Sequence, residues 1–409
     1  MVEQDYGFDA CLRQMAQRID EAELPYDEIT NGRGWGQFLD GPKEHPQVGP
    51  YGVCSGIIVR SLAGREHKGP EQRALHVLFE MLNRYQDGEP TTQRFFTQNL
   101  RLAYLCLALR LAGPPAATLA ASAEEELLSR LLPGGTWGDW WINKDIYDPT
   151  PRPFVTSIVL LCLLLFSGER DRGPASTLGG TLRRSTEFLA KALKDIPDWP
   201  PLPKAAALAA LGAARYREPN VYRQVNSLLV APPAVTSDLG VYFYDYQFLQ
   251  PGGGHHYSRD YFIVPIELLI AIVGLLPNAR VNARLHALTT IDHVKSTVVA
   301  NNGAYRSLSE QRLSTKNQAW AAIALKLGTS DVHVPFSGQR VLWFLTKPRT
   351  NQYVDRWFPV AALILTAGLG AIVTPDAGST ATITRALALL VIGGLYAPTV
   401  FRQLLRGRP

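Results

Sequence analysis

FTQNLRLAYLCLALRLAGPPAATLAASAEEELLSRLLPGG, residues 96–135, holds the pattern that decides the fold. An apolar run over 96–112 stops at Gly113-Pro114-Pro115, and a second over 118–132 stops at Pro133-Gly134-Gly135. Both runs have the length of ordinary globular helices, and Gly and Pro are the residues that end them. The theme recurs from about Trp35 to Gly328, with runs near 51–63, 72–86, 153–167, 181–195, 202–217, 259–276, 280–298 and 316–327. Period-2 alternation is almost absent, so a sheet has little support. Serial hairpins of apolar helices with long loops predict an all-α chain folded as an α/α toroid or, failing that, a solenoid. In such a ring, loops and inner helix ends surround a cleft. Trp35, Trp137, Trp140 and Trp141, in loops or beside glycines, are expected to line it.

Composition narrows the function. With 409 residues, 46% of them hydrophobic, the chain can bury a large core. A net charge of +5, from 41 basic and 36 acidic residues, is too small to serve as a nucleic-acid footprint. Cys11, Cys54, Cys106 and Cys162 are far apart and lack ligand spacing, so neither a disulfide framework nor a metal site is expected, and no cofactor is implied. The first residues, MVEQDYGFDACLRQ, carry acids and no apolar core of a secretory signal, which predicts a cytosolic start. The expected organisation is an N-terminal helix in 1–30, a toroid over 31–345 and a distinct tail.

The stretch Val235 to Leu276, VTSDLGVYFYDYQFLQPGGGHHYSRDYFIVPIELLIAIVGLL, concentrates the chemistry. Gly252 to Gly254 lets the backbone approach a bound group closely. It delivers His255, His256, Tyr257 and Arg259 toward an apolar helix, and loops that gather imidazoles, phenols and a guanidinium build polar sites. Asn301-Asn302-Gly303 reads as a turn.

The tail is different in kind. Residues 357–374 (WFPVAALILTAGLGAIVT) and 386–401 (ALALLVIGGLYAPTVF) contain no charge, whereas Lys347, Arg349 and Arg356 precede them and Arg402, Arg406 and Arg408 follow. Such runs are at the short end of what spans a bilayer. The positive flanks predict a transmembrane hairpin with both ends in the cytoplasm, at a bacterial-type inner membrane. Gly368, Gly370, Gly393 and Gly394 permit close helix packing and hence a homo-oligomer.

Three places resemble the chondroitin/hyaluronan lyase family, whose catalytic half is an α/α toroid. Trp140-Trp141 with Ile146 and Pro149 resembles that family's sugar-stacking tryptophan patch. Gly212-Ala213-Ala214-Arg215 resembles its Gly-Ala-Asn-Arg segment, and DYQFLQPGGGHHYSRDY, Asp245 to Tyr261, its Gln-His segment followed by tyrosine. The likeness covers roughly residues 130–275 and implies β-elimination, with Tyr261 moving the proton and neutral donors steadying the carboxylate. Ala214 and Pro251 stand where the family has Asn and His, so His255 or His256 would have to substitute. Arg259, Arg306 or Arg312 would then clamp the carboxylate. Losing two such donors argues against ordinary lyase chemistry. The expectation is therefore a membrane-anchored toroid that binds or senses a ligand at Trp140, Trp141, Tyr257, Arg259, Arg306 and Arg312. Its hairpin would serve as an oligomerising effector element. The alternatives are a lyase-like carbohydrate-active enzyme and a terpenoid-cyclase-like enzyme at the membrane surface, for which no acid or zinc motif is present.

Overall fold

The described chain contains two kinds of helix. The computed structural model describes residues 7–26, 32–40, 48–64, 70–86, 96–167, 177–195, 201–216, 248–249, 255–256, 264–276, 281–307 and 313–329. In chain order the described helices are α1 (Phe8–Glu21), α2 (Pro50–Leu62), α3 (Pro70–Gln86), α4 (Asn99–Ala112), α5 (Ala117–Ser129) and α6 (Pro153–Leu164). They continue with α7 (Thr177–Asp195), α8 (Pro201–Ala213), α9 (Ile266–Leu275), α10 (Val281–Ala300) and α11 (Thr315–Thr329). Helix α6 reads PFVTSIVLLCLL and is buried from Phe154 to Leu164, while α9 reads IELLIAIVGL with Glu267 as its one charge. A helix that is apolar on every side must be enclosed on every side. By contrast α1 buries Cys11, Leu12, Met15, Ala16 and Ile19, and α10 buries Ala287, Ile291, Val294 and Val298. That three-and-four spacing marks a single inward face.

The two kinds form two layers. Helix α2 packs on α4, α4 on α6, α6 on α8, α8 on α9, α9 on α11, and α11 returns to α2, which closes a ring of six. Outside it, α1 lies against α2, α10 and α11, α3 against α2, and α5 against α4. Helix α7 covers α6 and α8, and α10 covers α9 and α11. The chain divides into two compact units, Met1–Val332 and His333–Pro409, and every described residue belongs to the first. Both expected membrane spans, 357–374 and 386–401, lie outside the described residues. Among the described residues no helix is long and apolar enough to cross a membrane.

One boundary differs from the sequence reading. Helix α9 starts at Ile266 rather than near 259, because Pro265 is its cap and accepts from the N–H groups of Leu268 and Leu269 at 3.0 and 3.2 Å. Proline has no N–H to give and disfavours helix in the residue before it. Three short antiparallel ribbons complete the described structure. They are β1 (Leu24–Pro25) with β2 (Arg33–Gly34), β3 (Trp141–Asn143) with β4 (Ile146–Tyr147), and β5 (Phe248–Leu249) with β6 (His255–His256).

Two tryptophans expected in the cleft are core residues. Trp35 and Trp137 are fully buried, and their indole N–H groups donate to Ile19 O at 2.8 Å and Leu127 O at 2.9 Å. Gly52 and Gly56, one helical turn apart on α2, make the seat for Trp35. An added Cβ would stand 2.0 Å from Trp35 O at Gly52 and 2.1 Å from the indole ring at Gly56.

Candidate functional site

The segments that enter the ring helices are bonded to one another at one end of the ring. Before α2 and α11, Leu39 N–H donates to Leu313 O at 2.8 Å and Thr315 N–H to Gln37 O at 2.9 Å. Before α4 and α6, Trp141 N–H donates to Thr97 O at 2.7 Å and Asn99 N–H to Asp139 O at 3.1 Å. The amino-terminal ends of these four helices therefore share one mouth, and two features occupy it.

The first is the hairpin β3–β4, fastened by Asp148. Its buried carboxylate accepts from the N–H of Asp139 at 3.0 Å, the N–H of Thr150 at 3.0 Å and Nε of Arg152 at 3.2 Å. Burial pushes this carboxyl up, but those donors outweigh it, and the net shift is below the ordinary aspartate value. Arg152 Nε also stands 3.6 Å from Asp139, so one guanidinium serves two buried carboxylates. Gly138 is needed here, since a Cβ would meet Asp148 O at 2.2 Å. So held, the hairpin presents Trp141 packed against Tyr147, with ring centroids 4.7 Å apart and ring planes tilted by 32°. Ile142 and Ile146 beside that pair are 37% and 49% exposed. Large aliphatic side chains displayed beside an aromatic pair mark a contact surface.

The second feature lies inside the ring. Tyr51 of α2, Tyr104 of α4 and Trp320 of α11 form a run of rings, with centroids 5.2 and 6.2 Å apart. Tyr104 Oη and Ser55 Oγ share a hydrogen bond of 3.0 Å, and burial pushes the phenols of both tyrosines up, so both stay neutral. Beside this run Gln318 of α11 clasps the backbone of Tyr305, accepting from its N–H at 2.6 Å and donating to its carbonyl at 2.7 Å. Tyr305 Oη and Ser307 Oγ then donate to Glu267 Oε1 in the first turn of α9, at 2.7 and 2.9 Å. The first turn of α11, Thr315 to Gln318, is polar and buried throughout. A buried polar turn at the mouth of an otherwise apolar ring is where binding chemistry can reside.

The expected site residues fall into three groups. Trp140 and Trp141 are at the mouth, half-buried, on the hairpin. Arg306 is exposed, between the inward-turned Tyr305 and Ser307. His255 and His256 form β6, paired with Leu249 and Phe248 respectively, rather than the start of the long apolar helix. Tyr257, Arg259, Tyr261 and Arg312 lie outside the described residues. The Gly212-Ala213-Ala214-Arg215 segment is a helix cap. Arg215 has φ +56°, Arg215 N–H donates to Gly212 O and Tyr216 N–H to Leu211 O. This is the Schellman pattern that ends helices. Asn301-Asn302-Gly303 is the expected turn, with Asn302 at φ +51° and Gly303 N–H donating to Val298 O. Among the described residues no cluster of metal-ligating side chains occurs. Sequence reading missed Tyr51, Tyr104, Trp320, Glu267, Tyr305, Asp148 and Arg152. Tyr51, Tyr104, Trp320 and Glu267 signal only as aromatic or acidic residues at or within apolar runs, and Tyr305, Asp148 and Arg152 lie in polar loops with no distinguishing local signal.

A closed ring of inner helices with an outer helical layer defines the class as an all-helical α/α toroid. The fold is similar to that of the α-1,6-mannanase GH76A of Salegentibacter sp. HEL1_6. An inactive variant of that enzyme with two aspartates changed to asparagine, in complex with α-1,6-mannotriose, matches with a TM-score of 0.50 and 12% identity over 78% of this chain and 98% of that one. The GH76A structure without the substitutions gives 0.49 and 11% over the same shares. The toroid neighbours are thus glycoside hydrolases rather than the polysaccharide lyases that the sequence resembled. No family model matches this sequence, and no curated protein is significantly similar to it.

Proposed function

We propose that the toroid is a carbohydrate-binding ring, held at a membrane by its C-terminal hairpin, that recognises a glycan without cleaving it. The observation that carries the reading is the mouth: an aromatic hairpin on one side and a run of rings from three inner helices on another. Flat, neutral, partly apolar surfaces with a few held polar groups suit saccharides, and a structure of the same fold holds α-1,6-mannotriose.

The carboxylates favour binding over hydrolysis. The inactive neighbour is changed at two consecutive aspartates, and this sequence contains no Asp-Asp pair. Among the described residues, Asp139 and Asp148 are paired carboxylates at the mouth, but both are buried against Arg152. A glycosidase needs one carboxyl held protonated as general acid, whereas Asp148 is shifted the opposite way. Residues 357–374 and 386–401 would anchor the ring, with a lipid bilayer as one partner and the glycan as another.

Calorimetric titration of the detergent-solubilised full chain with α-1,6-mannotriose and a panel of neutral and acidic oligosaccharides tests the reading. Reducing-end and unsaturated-uronate assays run on the same samples. Saturable heat without product release supports it. Turnover of any glycan overturns the binding role, and carbonate extraction of the chain from membranes overturns the anchor.

A further inference from the structure

Gln98 and Trp140 face each other across an isolated antiparallel bridge at the mouth, just before α4 and β3. Directly opposed residues of such a pair project to the same face. Both side chains are half-buried, yet Gln98 Oε1 and Trp140 Nε1 are enclosed, and neither has a hydrogen-bond partner among the described residues. Other polar groups nearby have partners: Asn99 Nδ2 donates to Gly138 O at 2.9 Å, and the indole N–H groups of Trp35 and Trp137 reach backbone carbonyls. Enclosed polar atoms without partners are uncommon in folded proteins and call for a cause. Here one is an acceptor, the other a donor, and they belong to one face.

We infer that this bridge is a subsite for one hydroxyl group of a saccharide, which donates to Gln98 Oε1 and accepts from Trp140 Nε1. The inference rests on the carbohydrate reading above and names the grip within it. A hydroxyl is the group that donates and accepts at once, so it satisfies both atoms. The terminal amide torsion of glutamine is broad, which lets the Gln98 amide turn toward an entering ligand.

The test is an indole N–H NMR titration of the full chain with α-1,6-mannotriose, alongside calorimetry of Trp140→Phe and Gln98→Met. The Trp140 signal is identified by its loss in Trp140→Phe. The expected result is a downfield shift and slowed exchange of that signal on saturation, with about 5- to 10-fold weaker binding in each variant. Circular dichroism must match that of the parent chain. If the parent binds the trisaccharide while the Trp140 signal stays put and both variants bind equally well, the subsite is refuted and the carbohydrate reading survives. If the parent binds no saccharide of the panel, both fall.

Discussion

Replacing Gly56 by alanine sets helix propensity against packing. In a helix interior alanine is favoured over glycine by about 1 kcal/mol. At Gly56 the new Cβ would sit 2.1 Å from Cε3 and 2.4 Å from Cδ2 of Trp35. That indole is fully buried and pinned by its bond to Ile19 O, so it cannot slide aside. Overpacking of this kind costs about 1–3 kcal/mol, and pulling the indole off its carbonyl adds about 1 kcal/mol. Packing wins, for a net loss of about 1–3 kcal/mol. Gly180 in α7 is the control, since nothing lies within 4 Å of its added Cβ, and alanine there gains up to about 1 kcal/mol. At about 2 °C per kcal/mol for a unit of this size, thermal unfolding should fall by about 2–6 °C for Gly56→Ala and rise by about 1–2 °C for Gly180→Ala. In a Trp35→Leu background the Gly56→Ala penalty should vanish, because the two sites share one contact. Equal rises for both glycine substitutions in the parent chain would refute the seat.

Three further outcomes follow from the mouth. The lowered Asp148 carboxyl contributes stability that is complete above its ordinary value of 3.8 and is lost as pH falls through the folded value. Near-ultraviolet dichroism should therefore hold steady from pH 8 to about 4 and fade below that, with Asp148→Asn showing the faded signal at every pH. Gln318→Ala leaves the Tyr305 N–H and carbonyl without their clasp, at about 1–3 kcal/mol for each buried group. Denaturant unfolding should report that loss, and faster hydrogen exchange at Tyr305 should localise it. Tyr305→Phe removes a donor to Glu267 Oε1 and should cost about 1 kcal/mol by the same unfolding assay.

Much of the ring was legible in the sequence because helix signals are local. Apolar runs bounded by Gly and Pro gave most helices to within a few residues, and Asn301-Asn302-Gly303 announced a turn. Long-range packing was not legible. Trp35 looks like a cleft residue because glycines flank it, but its place is decided by Gly52 and Gly56 on α2 and a carbonyl on α1. Gly212 to Arg215 resembled a catalytic segment, yet the same residues serve as a Schellman cap at the carboxyl end of α8. Tyr104 and Trp320 stack although most of the described chain lies between them, and Glu267 meets Tyr305 across the helix α10 that separates them in sequence. The loop position of Trp140 and Trp141 was legible because glycine and turn residues around two adjacent tryptophans are a local signal.

Hydrogen-exchange footprinting of the full chain with and without saturating α-1,6-mannotriose tests the saccharide mouth most directly. Added protection confined to residues 96–104, 138–152 and 305–320 is the predicted result. Protection centred on the opposite end of the ring, at 113–116 and 165–167, or none anywhere with ligand in excess, would contradict it.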